Sequence, residues 1–370
     1  RNFDQIAQTE ERERLSGTLV LQWQPSDTFD LTADVLVSNL DIDYRQDVFP
    51  FWFTTGNIVN PVVDANNTVV SGDFGPAFIE SLVRQSSAED DLYQFGINMN
   101  WQLNDNWSFF GDLAYSEAES DPGDGWSDVV VGRPGTFSYD RSSGRLSPEM
   151  EYAVDDPNDP LTAGWASLQG TKINDEVLEG KLGAKWTFDN AGPLSEINFG
   201  LQYSDRTLGS TWYETTYPLP WIYGDNSTRV GVPTDLFYWY DADGFLSAEP
   251  GSPVETWLTF NSDDVFEFLE SEEAISQLDD ADYIRDLMAE VDGYTMHQDP
   301  EAYDVTEELT AFYTDFLFEG DIGNMTWSAV AGIRYVETES TSKGNQIWLV
   351  NLVPSPSKPD EVIAVYSDDY

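Results

Sequence analysis

The strongest constraint in this sequence is an alternation of apolar and polar residues that recurs in pairs of segments. Leu19, Leu21 and Trp23 fall on one face of an extended strand, and Gln22 and Gln24 fall on the other. Such alternation predicts β-strands with one apolar and one polar face. The eight predicted strands form four hairpins, which pair 15–24 with 29–39, 92–101 with 107–116, 177–188 with 197–204 and 308–318 with 325–338.

The lengths of the strands and of their connections indicate the kind of β-protein to which the hairpins belong. The predicted strands have 8 to 14 residues, most of them about 10–12, which is close to the length that a tilted strand needs to cross a bilayer. The turns within hairpins are short, but the connections between hairpins run to about 50, 60 and 100 residues, against the roughly 2–6 residues of compact domains. Outer-membrane barrels have this asymmetry. We therefore predict an all-β fold, a section of an antiparallel transmembrane β-barrel with long extracellular loops carrying short helices.

Aromatic residues gather near the short turns, on the apolar faces of the predicted strands. Aromatic side chains at one height form the interfacial girdle of a membrane barrel. A large soluble β-sandwich is the alternative, but it explains neither this position nor the long connections. The predicted girdle consists of Trp23, Trp101, Trp107, Trp186, Phe188, Phe318 and Trp327.

Charge and residue types exclude several functional classes. The chain has 68 acidic and 17 basic residues and a net charge of -51, so we expect no nucleic-acid partner, because phosphate binding needs a basic surface. Without cysteine and with one histidine, His297, it has neither a disulfide framework nor a thiolate or multi-histidine metal site. No apolar run reaches the ~20 residues of a membrane helix. No P-loop, HExxH motif or catalytic triad is present, so we expect no enzyme.

The longest connection, about 205–305, contains the only strong helical signals. Ser262, followed by acidic residues, is a predicted N-cap, and Val265 and Leu269 follow with helical spacing. A second amphipathic helix is predicted over about 272–290.

Four stretches resemble the TonB-dependent receptors, the roughly 22-stranded active transporters of the outer membrane. They are LSGTLVLQWQPSDTFDLTADVLV (15–37), FGINMNWQLNDNWSFFGDLAYS (95–116), residues 182–203 and TAFYTDFLFEGDIGNMTWSAVAGIRYVET (310–338). The ending GIRYVET (332–338) is especially similar to late barrel strands of that family. The closest likeness is to the proteobacterial subfamily linked to carbohydrate uptake.

The resemblance implies a place in the Gram-negative outer membrane, in contact with lipid, and active uptake of an extracellular small molecule or oligosaccharide. Energy would come from the TonB complex through a plug domain. Residues 1–370 have no counterpart of the plug or of the C-terminal strands. We therefore expect one partial barrel domain, an open sheet with two unpaired edges. Siderophore or other metal-chelate uptake, a passive porin-like or adhesin barrel, and a soluble glycan-binding β-sandwich are the alternatives.

Two groups of residues are candidates for the functional site. Aromatic rings in the long loops can stack on sugars or can pack the loops together. These rings are Trp212, Tyr213, Tyr217, Trp221, Tyr223, Tyr238, Trp239 and Tyr240. Charged residues on the polar strand faces are predicted to face the barrel lumen, where buried charges normally form ion pairs. They are Asp30, Asp34, Asp112, Glu179, Lys181, Lys185 and Arg334.

Three aspartate-rich stretches, at 121–125, 155–159 and 241–244, resemble fragments of calcium-binding loops. None has the full spacing of an EF-hand loop. We therefore predict no metal site and no cofactor, with calcium in the acidic loops as the alternative.

Overall fold

The computed structural model describes residues 2–52, 56–144, 149–153, 161–188, 192–224, 230–242, 244, 254–345, 349–354 and 362–366. The chain is mostly antiparallel β, with 75% strand and 9% helix, which confirms the predicted all-β class. The strands are β1 (Asn2–Ser26), β2 (Phe29–Trp52), β3 (Ile58–Val63), β4 (Val69–Gln102), β5 (Trp107–Asp140), β6 (Glu149–Ala153), β7 (Thr162–Thr187), β8 (Leu194–Thr215), β9 (Phe237–Asp241), β10 (Thr256–Phe260), β11 (Met296–Ile322), β12 (Met325–Gly344), β13 (Leu349–Pro354) and β14 (Val362–Tyr366).

One large sheet dominates the fold. Its strands follow the order β1-β2-β4-β5-β7-β8-β11-β12, with β3 beside β4 and β6 beside β5. Strands β9 and β10 form a separate two-stranded sheet, as do β13 and β14. Within the described ranges β1 and β12 each have one neighbour, so the sheet has two edges, as expected.

The four predicted hairpins are confirmed as β1–β2, β4–β5, β7–β8 and β11–β12, but the predicted strand lengths are wrong. The eight strands have 20 to 34 residues. Strand β2 continues to Trp52 and β4 begins at Val69, so most of the first predicted long loop is strand. Beyond the alternating part, polar residues such as Asp43 and Gln46 occupy both faces, and the apolar period disappears while the backbone ladder continues.

The last long connection does contain helices. They are α1 (Ser262–Leu269), α2 (Glu272–Ile275) and α3 (Ala281–Val291). The cap of α1 is Asn261, whose side chain accepts a hydrogen bond from the backbone N–H of Asp263, so the predicted cap at Ser262 is off by one residue. The predicted helix over 272–290 is two helices, because the chain turns between them and buries Leu278. Among the described residues, no helix is long and apolar enough to span a membrane.

The described parts of 216–242 and 254–295 form a layer that we call the cover. It packs on the ends of the long strands that lie away from the short turns. Val83, Val129 and Val131 of the sheet share one buried core with Val265 and Leu269 of α1. A second core joins sheet residues such as Phe51 and Phe137 to Trp257 of the cover. The cover is therefore fixed to the sheet by buried apolar side chains, which are the main source of packing stability.

Candidate functional site

The face of the sheet that we call the band face is apolar in every strand. Residues directly opposite each other in an antiparallel ladder lie on the same face. One continuous line of paired residues crosses all eight strands as Trp23, Leu31, Met99, Gly111, Leu182, Leu201, Phe312 and Tyr335. Leu182 is 61% exposed and Leu201 56% exposed, although both belong to interior strands. The sheet thus presents a wide apolar surface that no other described part of the chain covers.

The seven aromatic residues of the predicted girdle all lie at the short-turn ends of the strands. Trp107 stacks on Trp186, with ring centroids 5.1 Å apart, and Trp186 contacts Phe188 at 4.3 Å. Trp101 pairs with Phe109 at 5.8 Å and Trp23 with Phe29 at 5.9 Å. Phe318 and Trp327 lie on the neighbouring strands β11 and β12. We call this set the tryptophan row.

A second aromatic row, which the sequence analysis missed, borders the band face at its other end. Tyr93, Tyr115, Tyr203 and Tyr335 are all exposed there. The Tyr115 hydroxyl donates to Glu117 at 3.0 Å, and the Tyr203 hydroxyl donates to Asp205 at 3.2 Å. The Tyr335 hydroxyl donates to Glu337 at 3.5 Å. The spacing of a tyrosine and an acid two residues later is visible in the sequence for Tyr115, Tyr203 and Tyr335, and could have predicted these three members of the tyrosine row.

The opposite face, the polar face, carries all seven predicted lumen-facing charges. Asp112 lies directly opposite Lys181, in a line of residues that continues through Gln202. The expected ion pairs form only in part. Lys181 pairs with Glu179 at 3.3 Å, but Lys185 pairs with Glu196 at 3.5 Å, which the sequence analysis did not predict.

The remaining predicted charges on the polar face bind amide groups or lie against backbone. Arg334 donates to Gln202 at 3.0 Å rather than to a carboxylate. Asp112 accepts from Asn98 at 3.2 Å, and Asp30 accepts from Asn100 at 3.3 Å. Asp34 packs over the backbone of Gly96, where a Cβ atom would lie only 2.7 Å from its carboxylate. These neutral partners satisfy the carboxylates without a basic residue, because an amide N–H also donates to them.

The predicted loop aromatics fall into three settings. Trp212 and Tyr213 are wrong as loop residues, because they lie in β8, and the Trp212 indole donates to Glu214 at 3.1 Å. Tyr223 is buried in the cover and its hydroxyl donates to the carbonyl of Leu269. Burial raises the pKa of Tyr223 strongly, since the ionised phenol would lose its solvation.

The other aromatics of this set are more accessible. Tyr217 is 76% exposed, and Trp221 is 55% exposed while it meets Trp165 edge-on at 4.7 Å. In β9, Tyr238 and Trp239 are also exposed. Tyr240 stacks on buried Trp257 at 4.8 Å. The rings of the predicted ligand set that a dissolved ligand can reach are therefore the four exposed ones, Tyr217, Trp221, Tyr238 and Trp239.

A buried polar network fastens the cover to the sheet. The Arg45 guanidinium pairs with Asp47 at 2.6 Å and donates to the carbonyl of Phe260 at 2.8 Å. It also donates to the Tyr238 hydroxyl at 3.0 Å. Asp47 accepts a further hydrogen bond from Thr259. Desolvation lowers the pKa of Arg45, but the hydrogen bond and the charge of Asp47 together with nearby tyrosines raise it by more, so the net shift is upward and this cation stays charged under the cover.

The aspartate-rich stretches show no metal geometry in the described ranges. Asp121 accepts from the backbone N–H of Gly123 at 2.9 Å and pairs with Lys172 at 3.2 Å, so its carboxylate is engaged in local contacts. Residues 155–159 and Asp243 lie outside the described residues. The described residues contain no group of three or more acidic or histidine side chains that could hold a metal ion.

Comparisons with other proteins do not assign the chain to a family. No family model, no curated protein and no solved structure matches it.

Proposed function

We propose that this chain forms part of the wall of an outer-membrane β-barrel that takes up a scarce nutrient, with an oligosaccharide as the cargo and the TonB complex as the energy source. The observation that carries the proposal is the exposed apolar band face across eight paired strands. Soluble monomers rarely expose contiguous apolar patches larger than a few hundred Å². Exposing a larger apolar patch to water is unfavourable, and contact with lipid removes this unfavourable exposure.

The arrangement of side chains around the band face supports a bilayer as its surroundings. Between Trp101 and Tyr93, and between Trp107 and Tyr115, the chain spans eight residues of one strand. This corresponds to roughly 27 Å along a strand at about 3.4 Å per residue. Tilted by about 40°, such a segment rises roughly 20 Å, close to the ~25 Å apolar band of membrane barrels. The tryptophan row and the tyrosine row would then lie at the two interfaces.

A soluble β-sandwich would bury the apolar faces of its strands against a second sheet. Leu19, Leu113 and Ile333 are instead exposed. At these exposures, no second sheet in the described parts of the chain covers them. This observation favours the barrel wall over the sandwich.

Active uptake, rather than passive permeation, is supported by the likeness of the strand stretches to TonB-dependent receptors. An oligosaccharide as the cargo is supported by four exposed rings, because aromatic faces stack on the apolar faces of sugars. These rings are Tyr217, Trp221, Tyr238 and Trp239. The polar face, with Lys181, Lys185 and other charges, would line the hydrated interior.

The test is uptake by cells that carry or lack the gene for the full-length protein. We expect the deletion to abolish growth on one oligosaccharide, and we expect uptake to stop when the TonB complex is deleted. Replacement of both Trp221 and Trp239 by alanine should reduce uptake, whereas Tyr283→Ala, which removes an equally exposed ring from α3, should not. Uptake that persists without the TonB complex would show a passive pore. A defect only under iron limitation would replace the cargo by a metal chelate.

A further inference from the structure

At the height of the cover, the polar face of the sheet carries a separate group of side chains. Side chains alternate along β4, so Val83 and Gln85, which contact the cover, lie on the band face and Arg84 lies on the polar face. Strand β4 pairs with β2 without a register shift from Phe29 to Val48, so the two faces continue unchanged from the apolar band to this height. The cover and Arg84 therefore lie on opposite sides of the wall.

Arg84 belongs to a line of paired residues that crosses neighbouring strands on the polar face. It lies directly opposite Gln46 of β2 and Asp128 of β5. Asp128 in turn lies opposite Ser167 of β7. The Arg84 guanidinium also packs over the ring of Trp126, 5.3 Å from its centroid. Residues directly opposite each other in a ladder share a face, so this line lies on the side away from the cover.

Two further tryptophans join this group at its β7 end. The indole of Trp165 donates to the Ser167 hydroxyl at 2.8 Å, and Trp221 meets Trp165 edge-on with ring centroids 4.7 Å apart. Trp165 is half-buried and Trp221 is exposed, so the two rings form an apolar corner that a dissolved molecule can reach. We use the name polar-face cluster for Arg84, Trp126, Asp128, Trp165, Ser167 and Trp221.

Three polar atoms of the polar-face cluster are buried without a hydrogen-bond partner among the described residues. They are Arg84 Nε, Trp126 Nε1 and Asp128 Oδ1. The Arg84 and Asp128 atoms lie 3.6 Å apart, which is an ion pair but too long for a hydrogen bond. Native structures rarely leave buried polar atoms unpaired. Both side chains keep an exposed part, 26% for Arg84 and 18% for Asp128, so a ligand that draws them apart can supply the partners.

The polar-face cluster combines the groups that recognise an uncharged sugar. Flat aromatic rings stack on the apolar faces of sugars. Arg84 offers only donors and an ionised Asp128 offers only acceptors, so sugar hydroxyls, which donate and accept, can bond to both. The opposite charges of this pair offset each other, so the cluster favours no ion of either sign. An anion would also be repelled by the net charge of -51 of the chain.

The polar-face cluster is longer than one sugar ring. Ser167, Asp128 and Arg84 lie on three neighbouring strands and span roughly 10 Å at about 4.8 Å between strands. The next strand, β8, adds Trp212 on the same face, because the β7–β8 ladder has no register shift between Gln202 and Trp212. The polar face therefore offers room and aromatic surface for several linked sugars.

We propose that the polar-face cluster binds an uncharged oligosaccharide inside the barrel, with Trp221 stacked on one sugar ring and the Arg84–Asp128 pair hydrogen-bonded to another. This inference rests on the proposed function and adds the position and the chemical class of the ligand. The band face then contacts lipid and carries the cover, while the polar face binds the cargo.

The affinity test uses the purified full-length protein and five hexasaccharides. Those of glucose, mannose and xylose are neutral, that of galacturonate is anionic and that of glucosamine is cationic. We expect a neutral hexasaccharide to bind most tightly in calorimetric titration. Trp221→Leu should weaken this binding about tenfold through the loss of one stacked ring. Tyr283→Leu, which removes an equally exposed ring from α3, should leave it unchanged.

Substitutions in the ion pair test recognition separately from folding. Asp128→Asn leaves Arg84 without its counter-charge, so we expect weaker binding of the neutral hexasaccharide and stronger binding of the galacturonate one. Arg84→Gln should shift the preference toward the glucosamine hexasaccharide, because the charge of Asp128 then stands alone. Equal losses for every hexasaccharide would show that the pair only supports the fold, and would overturn its role in binding.

Protection of a single cysteine locates the site. Gln169 lies opposite Trp126 and donates to Ser167 at 3.3 Å, and this chain contains no cysteine. In a full-length protein otherwise free of cysteine, we expect the neutral hexasaccharide to slow maleimide modification of Gln169→Cys several-fold. Modification of Tyr283→Cys on α3 should not change.

The outcomes separate this inference from the proposed function. Uptake of a neutral oligosaccharide, with neither protection at residue 169 nor weaker binding in Trp221→Leu, overturns this site and leaves the uptake function intact. Binding of the charged hexasaccharides alone overturns the chemical class, and binding of none overturns the site. Normal growth of the deletion strain on every oligosaccharide overturns both proposals.

Discussion

A charge placed within the apolar band face distinguishes water from lipid as its surroundings. Leu201 is 56% exposed on β8, which has a neighbouring strand on each side in the sheet, and it lies directly opposite Leu182 and Phe312. On a surface in water, Leu201→Arg should change the free energy of unfolding by no more than about 0.5 kcal/mol. An arginine on the lipid face of a barrel costs roughly 2–4 kcal/mol at the bilayer midplane and about 0–1 kcal/mol at the interfaces, so at Leu201, two residues inside Tyr203 of the tyrosine row, we expect a loss of about 2 kcal/mol. We predict the larger loss.

The assay is urea-dependent folding of the full-length protein into phospholipid vesicles, followed by tryptophan fluorescence. The matched control is Ser204→Arg, on the polar face of the same strand and opposite Glu179, where the new cation meets a carboxylate. This control should stay within about 0.5–1 kcal/mol of the original protein. Equal and small effects of the two substitutions would refute the argument that the band face lies in lipid.

Three further predictions concern the cover. Tyr223→Phe should cost about 1 kcal/mol through its lost hydrogen bond to Leu269. The pKa of Tyr223 is raised in the fold, so its contribution to stability holds below the unfolded value near 10 and declines above it; alkaline unfolding monitored by circular dichroism should be less steep in the variant. Arg45→Met should loosen the cover by roughly 3–5 kcal/mol, because it leaves Asp47 buried without its cation; limited proteolysis of 216–295 should accelerate, and Arg45→Lys should restore part of the protection. Trp257→Ala should cost about 3–5 kcal/mol in thermal unfolding, since this ring is fully buried, whereas Trp221→Ala should cost less than about 1 kcal/mol.

The hairpins and the two faces of the sheet could be predicted because their information is local. Alternation places Leu182 and Lys181 on opposite faces whatever the partner strand is, and the ladder confirms both faces. The full strand lengths could not be predicted in the same way. Around Asp43 and Gln46 both faces are polar, so periodicity carries no signal although pairing continues.

The position of the cover could not be predicted from the sequence. Arg45 and Phe260 are 215 residues apart, and no local pattern indicates that one binds the other. The side of the sheet that receives the cover depends on many such distant contacts. For the same reason, the aromatic residues of the ligand set could be recognised as a class from the sequence. Which of them are buried, such as Tyr223, and which are exposed, such as Trp221, could not be predicted.

The central claim is that the band face is in contact with lipid, and a cysteine scan through residues 197–205 of β8 tests it most directly. Each variant is treated in intact cells with a membrane-impermeant maleimide and, separately, with a lipid-soluble one, against the cysteine-free background of this chain. We predict that Ile197, Phe199 and Leu201 positions react only with the lipid-soluble reagent, while Asn198 and Gln202 positions react with the impermeant one wherever the interior is hydrated. Uniform reaction of all positions with the impermeant reagent would contradict the account.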